Sequence, residues 1–402
     1  MRPLSRRLAP RRSAGLPPAF WWLFAGQGLS ALATFVFPFL ALYLRSRGLA
    51  PGAIGLVTAL FGAGSLPAGP LAGNLADRLG RRPTLLGALL GSAALTALLP
   101  LFASPVALAL DVLALGLAVH AYFPAMNAAV ADLLPPERYA DAYGLLYWER
   151  NAGLALSFVA GGALAARGYG RLFLADAAST ALFALLVWWR VAEPRPPTPG
   201  SGAPGTSPGF AAALGDRHLV RLIALQVGLL LAMFQFMVAL PVAMAARGFG
   251  PPVYGRTMAV NGLLIALFQP WASRIARGRD EGHLLALAAL LVGAGTGAYA
   301  LCRTPAAFAG ATAVWSLGEI LTLPTLSAVV SRLAPPELRG RYQGLLGFGF
   351  AAGLTLAPAI GGAVLGWLGA TVLWAGTATL GAAVAAGHLV AGRSRPRLLG
   401  PS

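Results

Sequence analysis

Three observations predict an all-α polytopic membrane protein with twelve transmembrane helices, arranged as two six-helix parallel pseudo-repeats. The 402-residue chain is 57% apolar and only 11% charged, with a mean hydropathy of +0.70. A soluble globule needs far more charge to cover its surface. Apolar segments follow one another near 19–44, 53–75, 84–103, 106–131, 141–165, 172–190, 220–245, 253–276, 284–302, 306–331, 342–366 and 370–391. Each is close to the ~20 residues a helix needs to cross a bilayer. Finally, the second half of the chain repeats landmarks of the first at an offset of 200 positions.

In chain order, residues 1–18 form a basic arm with Arg2, Arg6, Arg7, Arg11 and Arg12. The apolar run that follows continues to Leu44, too long for a cleaved signal, and reads as the first span. Residues 19–190 make a first six-helix half and 219–391 a second, with a tail at 392–402. Between the halves, 191–218 is rich in Pro, Gly and Ser and reads as a flexible linker.

Thirty basic residues against thirteen acidic give a formal charge of +17, and every basic residue is an arginine. These arginines are spread between spans rather than clustered, which speaks for a negatively charged leaflet and against nucleic acid. With the N-terminus inside, one face collects Arg78, Arg81, Arg82, Arg138, Arg190, Arg217, Arg274, Arg332, Arg339 and Arg341 among others. The opposite face keeps Arg45, Arg47, Arg167, Arg171, Arg247, Arg256 and Arg303. The bias places both termini in the cytoplasm.

The lone Cys302 excludes internal disulfides and a cysteine metal site, and the four histidines show no ligand spacing. A membrane-embedded enzyme would need a nucleophile, base or metal constellation that is not seen. No Gly-x-x-x-x-Gly-Lys loop is present, so ATP is not expected as the energy source. No cofactor or metal is expected.

The internal repeat is extensive. Arg47-Gly48 pairs with Arg247-Gly248, Pro51 with Pro251, Gly55 with Gly255, Pro70 with Pro270, Pro105 with Pro305 and Pro124 with Pro324. Pro135-Pro136-Glu137, Gly144-Leu145-Leu146, Gly153-Leu154 and Gly161-Gly162 recur at the same offset. Both copies run in the same orientation, a parallel repeat of the kind that places a substrate path between its halves.

One polar turn stands out: Gly73-Asn-Leu-Ala-Asp77-Arg78-Leu-Gly80-Arg81-Arg82, lying between the second and third segments. It resembles the loop signature of the major facilitator superfamily of transporters, Gly-x-Leu-Ala-Asp-Arg-x-Gly-Arg-Arg/Lys. The stretches Asn261–Pro270 and Ala334–Gly344 resemble bacterial drug/proton antiporter-type members. The resemblance implies an inner-membrane protein, monomeric in the bilayer, that carries a small-molecule substrate by alternating access.

It further implies a conformational latch. The matching aspartate, Asp77, interacts with the start of the eleventh helix, and the matching arginine, Arg81, pairs with an acid ending the fourth, here Asp132. Gly73 allows close helix approach and Gly80 a tight turn. Arg78 and Arg82 read as topology arginines, and a plain solvated loop is the alternative for the whole turn. At the offset of 200, Asp77 meets Arg277 and Asp132 meets Arg332, so the second half is expected to lack the latch.

Ionisable groups at membrane depth are costly and point to function. Glu319, midway along the tenth segment, is the first candidate for proton coupling, and His120, midway along the fourth, the second. The alternatives are a permanently protonated Glu319 bonded to a backbone carbonyl and a neutral His120 filling a helix interface. In the fifth segment Glu149, Arg150 and Asn151 suggest a gate network, with a snorkelling Arg150 as the alternative. Asp111 and Asp176 read as structural acids near helix ends.

The fifth segment holds Gly153-x-x-x-Ser157-Phe158-x-x-Gly161-Gly162, and the eleventh Gly353-x-x-x-Ala357-Pro358-x-x-Gly361-Gly362. The antiporter signature is Gly-x-x-x-Gly-Pro-x-x-Gly-Gly, so Phe158 replaces the proline in one copy while Pro358 keeps it in the other. The cavity candidates are Gln27, Phe35, Phe37, Tyr122, Asn127, Gln226, Phe234, Gln235 and Trp315, aromatics with scattered amides that suit an amphiphilic ligand. The resulting expectation is proton-coupled efflux of small amphiphilic molecules. Uptake of a nutrient or organic anion is the runner-up, and a non-transporting membrane sensor a third reading.

Overall fold

The computed structural model describes residues 15–193, 213–276, 279–335 and 338–393. The N-terminal arginines, most of the linker, Arg277 and the C-terminal tail therefore lie outside the described residues. All regular structure among the described residues is helical. The first segment is α1 (Pro18–Leu32) followed by α2 (Val36–Ser46). Next come α3 (Pro51–Leu79), α4 (Arg81–Leu98), α5 (Pro105–Leu133), α6 (Tyr139–Ala165) and α7 (Tyr169–Arg190). The seventh segment is α8 (Arg217–Met233) and α9 (Ala239–Ala246). It is followed by α10 (Pro251–Ala276), α11 (Glu281–Ala298), α12 (Pro305–Leu333), α13 (Arg339–Trp367) and α14 (Gly369–Arg393).

Among the described residues, ten segments are long and apolar enough to cross a membrane. Those that miss the hydropathy mark, α6 and α10, carry Glu149, Arg150 and Asn151 in one case and Arg256, Thr257 and Asn261 in the other. They pack against each other between the halves, where Arg150, Asn151 and Asn261 turn to the enclosed space, and such polar positions lower mean hydropathy in helices that still span.

The first and seventh segments are not continuous helices, as the sequence had led us to expect, but are broken midway. In each case a proline occupies the third residue of the second piece, Pro38 in α2 and Pro241 in α9. Proline lacks the N–H that an unbroken helix would use, and it is tolerated in a first turn. The freed groups find partners on other segments. The Asp176 carboxylate of α7 accepts from Phe35 N at 2.7 Å and Val36 N at 2.9 Å. The Tyr254 hydroxyl of α10 donates to Phe236 O at 3.0 Å. Both segments then end alike: Gly48 at φ 83° and Gly248 at φ 82°, two residues that differ by the repeat offset.

At the end away from the termini the halves share one core, in which Phe39, Leu40 and Phe158 of the first half join Leu229, Met237 and Tyr254 of the second. At the termini end each half has a separate core, one around Phe20, Leu85 and Val130, the other around Leu219, Leu285 and Val330. Glycine seams explain the difference. A methyl group on Gly55 of α3 would press on Pro358 O and lie 2.8 Å from Gly362 Cα of α13, and one on Gly62 would lie 2.6 Å from Thr355 N. The second seam joins α6 to α10, where methyls on Gly162 and Gly262 would lie 2.8 Å from Pro251 O and 2.5 Å from Ala155 Cβ. Absent side chains let these backbones touch. Seven residues further along the same faces, Gly69 and Gly347 meet nothing within 4 Å. The halves are closed at the far end and parted at the termini end.

Candidate functional site

The parted halves enclose a cavity of about 640 Å³, a volume suited to a drug-sized molecule. Its lining comes from both halves and is mostly apolar. An aromatic roof closes it at the seam end: Phe37 of α2 lies 5.7 Å from Phe61 and 6.1 Å from Phe236, which stacks on Trp315 at 5.9 Å. The polar lining is sparse and includes Gln27, His120, Arg150, Asn151, Gln226, Asn261 and Glu319.

Glu319 of α12 and His120 of α5 face this one cavity from opposite halves. Asn261 of α10 donates its Nδ2 to Glu319 Oε2 at 2.7 Å and to Ser316 Oγ at 3.0 Å. The carboxyl is thus oriented by a neighbouring helix. The His120 Nδ1 lies 2.8 Å from Gly116 O, one turn back in its own helix, and its ring meets Phe61 edge-on at 5.3 Å.

The three polar residues of α6 diverge. Glu149 is buried and accepts from Gln27 Nε2 at 3.0 Å, while Gln27 also donates to Leu146 O at 3.0 Å and accepts from the Tyr122 hydroxyl at 3.2 Å. A methyl on Gly28 would strike Glu149 Oε1, so α1 and α6 are fitted together around this carboxyl. Arg150 turns into the cavity, its guanidinium 5.2 Å from the Phe123 ring and 5.7 Å from the Tyr147 ring. Asn151 donates to Tyr147 O at 2.7 Å. Among the described residues these three form no common network, because consecutive side chains on a helix point about 100° apart.

Other candidates divide between the cavity and its walls. Gln27, Tyr122, Gln226, Phe37 and Phe234 line it. Phe35, Gln235, Trp315 and Asn127 do not. The Phe35 ring lies against Gly161. Gln235 donates to Leu231 O at 2.7 Å and Ala357 O at 3.2 Å, and Trp315 donates to the Tyr299 hydroxyl at 2.7 Å. Asn127 is exposed nearer the termini end, its carbonyl accepting from Tyr143. The glycines of α6 and α13 seat neighbouring helices: Gly153 meets Ala31, Gly162 meets Pro251, Gly361 meets Gln235 and Gly362 meets Gly55, while Pro358 contributes the carbonyl beside Gly55.

At the termini end Arg81 joins three chain segments. Its Nη1 reaches Asp77 Oδ1 at 3.0 Å and Ala76 O at 2.8 Å, and its Nε reaches Asp132 Oδ2 at 3.0 Å. Gly80 makes the turn at φ 104°, a conformation that disfavours side chains. Glu193 falls within the span 191–218 that reads as a linker, yet its two carboxylate oxygens accept Arg81 N at 2.6 Å and Arg82 N at 3.0 Å and so cap α4. Arg82 also donates to Trp188 O. A methyl on Gly80 would lie 2.6 Å from Glu193 Oε1, a second reason for glycine there. Arg78 is exposed.

Two expectations need correction. Asp77 is 74% exposed and paired within its own half rather than with the eleventh segment, and Gly73 makes no close approach within 4 Å, since the halves are parted at this end. The second half does not lack an ion pair at the equivalent place: Arg332 pairs with Glu281. Shifted by 200, Arg81–Asp132 becomes Glu281–Arg332, the same bridge with its charges exchanged. A bridge requires opposite charges, not a particular helix for each. Here the cap of α11 is Asp280 itself, which accepts from His283 N at 2.9 Å and pairs with its ring, and these hydrogen bonds hold its carboxyl below the usual carboxylate range.

Comparison with known proteins agrees with this architecture. Residues 23–345 and 237–401 match the family model of the Major Facilitator Superfamily. The multidrug resistance protein MdtH of Aeromonas salmonicida is 26% identical over 350 residues, covering 86% of this chain and 87% of that protein. A Na(+), Li(+), K(+)/H(+) antiporter of Planococcus maritimus is 26% identical over 362 residues, covering 80% and 84%. The solved structure of the nucleoside transporter NupG superposes with a TM-score of 0.77 at 13% identity, covering 94% of this chain and 98% of that one. This multi-pass membrane protein belongs to the Major Facilitator Superfamily, a family of transporters and not of enzymes.

Proposed function

We propose that the protein exports small amphiphilic molecules by alternating access, in exchange for protons that enter through Glu319. The observation that carries this reading is the cavity itself: about 640 Å³, mainly apolar, walled by both halves, with one carboxyl held by Asn261 at 2.7 Å. An ionised carboxyl in an apolar cavity is expensive to enclose, so the empty carrier returns most readily with a proton on Glu319. The relatives named for multidrug resistance and for cation/proton antiport favour the same direction.

In this scheme the termini end is cytoplasmic, and the structure corresponds to a carrier open to the cytoplasm. The seams α3–α13 and α6–α10 part when the carrier opens outward, while the termini end closes around Arg81 and Arg332. No nucleotide or metal is required, the proton gradient being the energy source. The test is substrate-evoked pH change in proteoliposomes across a diverse panel of amphiphiles. Export predicts proton movement opposite to the substrate; movement in the same direction establishes uptake, and substrate movement without any pH change removes the proton.

A further inference from the structure

The proposed cavity contains one permanent charge, and among the described residues no carboxylate pairs with it. Arg150 is exposed into it, and among the described residues its guanidinium makes no hydrogen bond or ion pair; it lies by the rings of Phe123 at 5.2 Å and Tyr147 at 5.7 Å, with His120 and Tyr122 within electrostatic reach. The two acids in the same lining are already engaged. Asp176 accepts from Phe35 N and Val36 N, and Glu319 accepts from Asn261. The adjacent Glu149 is turned away into the α1–α6 contact with Gln27. Snorkelling to the membrane face does not describe this side chain, which lines the cavity.

A guanidinium beside aromatic rings keeps its planar N–H edge for a bidentate acceptor, and carboxylate or sulfonate fits that edge. The same rings offer apolar surface to whatever body carries the anion. We propose that the cavity selects amphiphilic organic anions, a single carboxylate or sulfonate on an aromatic body, with Arg150 as the specificity-determining residue. This rests on the cavity being the transport site, and names the substrate class that the site takes.

The full-length protein, purified in detergent, is titrated calorimetrically with three matched probes: naphthoate, its carboxamide and naphthylmethylammonium. Naphthoate is expected to bind roughly ten- to hundred-fold more tightly than the carboxamide, the range of a charge-assisted hydrogen-bonded pair. Arg150→Gln abolishes that preference, so that naphthoate and carboxamide bind the variant alike; Arg150→Lys, which keeps the charge without the fork, retains part of it. Equal binding of naphthoate and carboxamide by the wild type, preference for the ammonium probe, absence of binding for all three, or an anion preference that survives Arg150→Gln each overturns the assignment. Proton-coupled transport of the ammonium probe alone overturns it while leaving the transport reading intact. Anion-selective binding without proton movement in proteoliposomes upholds it and defeats the coupling.

Discussion

Closure at the far end depends on backbones in contact, so one methyl group there should open it. Gly55→Ala places a Cβ against Pro358 O and 2.8 Å from Gly362 Cα, with Gly362 N at 3.2 Å. All three are main-chain atoms of α13 and cannot rotate aside. Overpacking of this kind costs about 1–3 kcal/mol. The cost falls only on the arrangement in which the seam is shut, so the seam-open fraction rises roughly 5- to 150-fold. The reporter is Thr34→Cys, which lines the cavity under its aromatic roof, in a Cys302→Ser background with no other thiol. A membrane-impermeant maleimide added from the seam side labels it in proportion to that fraction. Gly69→Ala is the control, because a methyl there meets nothing within 4 Å. The account expects faster labelling with Gly55→Ala and none of that gain with Gly69→Ala. Unchanged labelling in a Gly55→Ala protein of normal melting temperature refutes the seam argument.

Further outcomes follow from the same geometry. Glu281→Arg sets two arginines against each other at the Arg332 position and should slow transport, whereas the double exchange Glu281→Arg with Arg332→Glu reproduces the polarity of Arg81–Asp132 and should recover most of the rate. A double variant no better than the single would show that the pair's chemistry is irrelevant. Asp176→Ala leaves Phe35 N and Val36 N without their acceptor, at about 1–3 kcal/mol per buried group, and should lower the melting temperature by several degrees. The Asp280 carboxyl titrates below its ordinary value of 3.8 because His283 N and the His283 ring bond it. Its contribution is therefore complete above pH ~4 and lost as pH falls through the lower folded-state value. Melting curves recorded between pH ~3 and ~6 should show an acid-side loss that Asp280→Asn diminishes.

Much of the architecture was legible because prolines and glycines recur at a fixed offset, and these residues are set by backbone geometry. Gly48 and Gly248 illustrate this: the shared register became a shared positive φ. The breaks in the first and seventh segments were hidden, since Pro38 and Pro241 sit inside runs of unbroken hydropathy and the groups that receive the freed backbone, Asp176 and Tyr254, come from distant segments. Glu193 was hidden for a similar reason, lying beside a Pro-rich stretch that suggested only a linker. The exchanged bridge was readable in principle. Comparing acids alone made Arg332 look like a loss, but comparing products of charges at 81/132 and 281/332 would have shown a pair in both halves. Cavity facing was the least legible property. Gln27 and Gln226 face the cavity while Gln235 turns into α13, and helices apolar all round give no sequence sign of which side is which.

The central claim is that Glu319, held by Asn261 in a cavity between two halves, couples substrate movement to protons. Its most direct test compares wild type and Glu319→Gln in proteoliposomes under an imposed pH gradient and without one. Glutamine keeps the size of the side chain and an acceptor for Asn261 but cannot carry a proton. The account predicts that Glu319→Gln still equilibrates labelled substrate across the membrane and no longer accumulates it when the gradient is applied. Accumulation at the wild-type level by Glu319→Gln would contradict it.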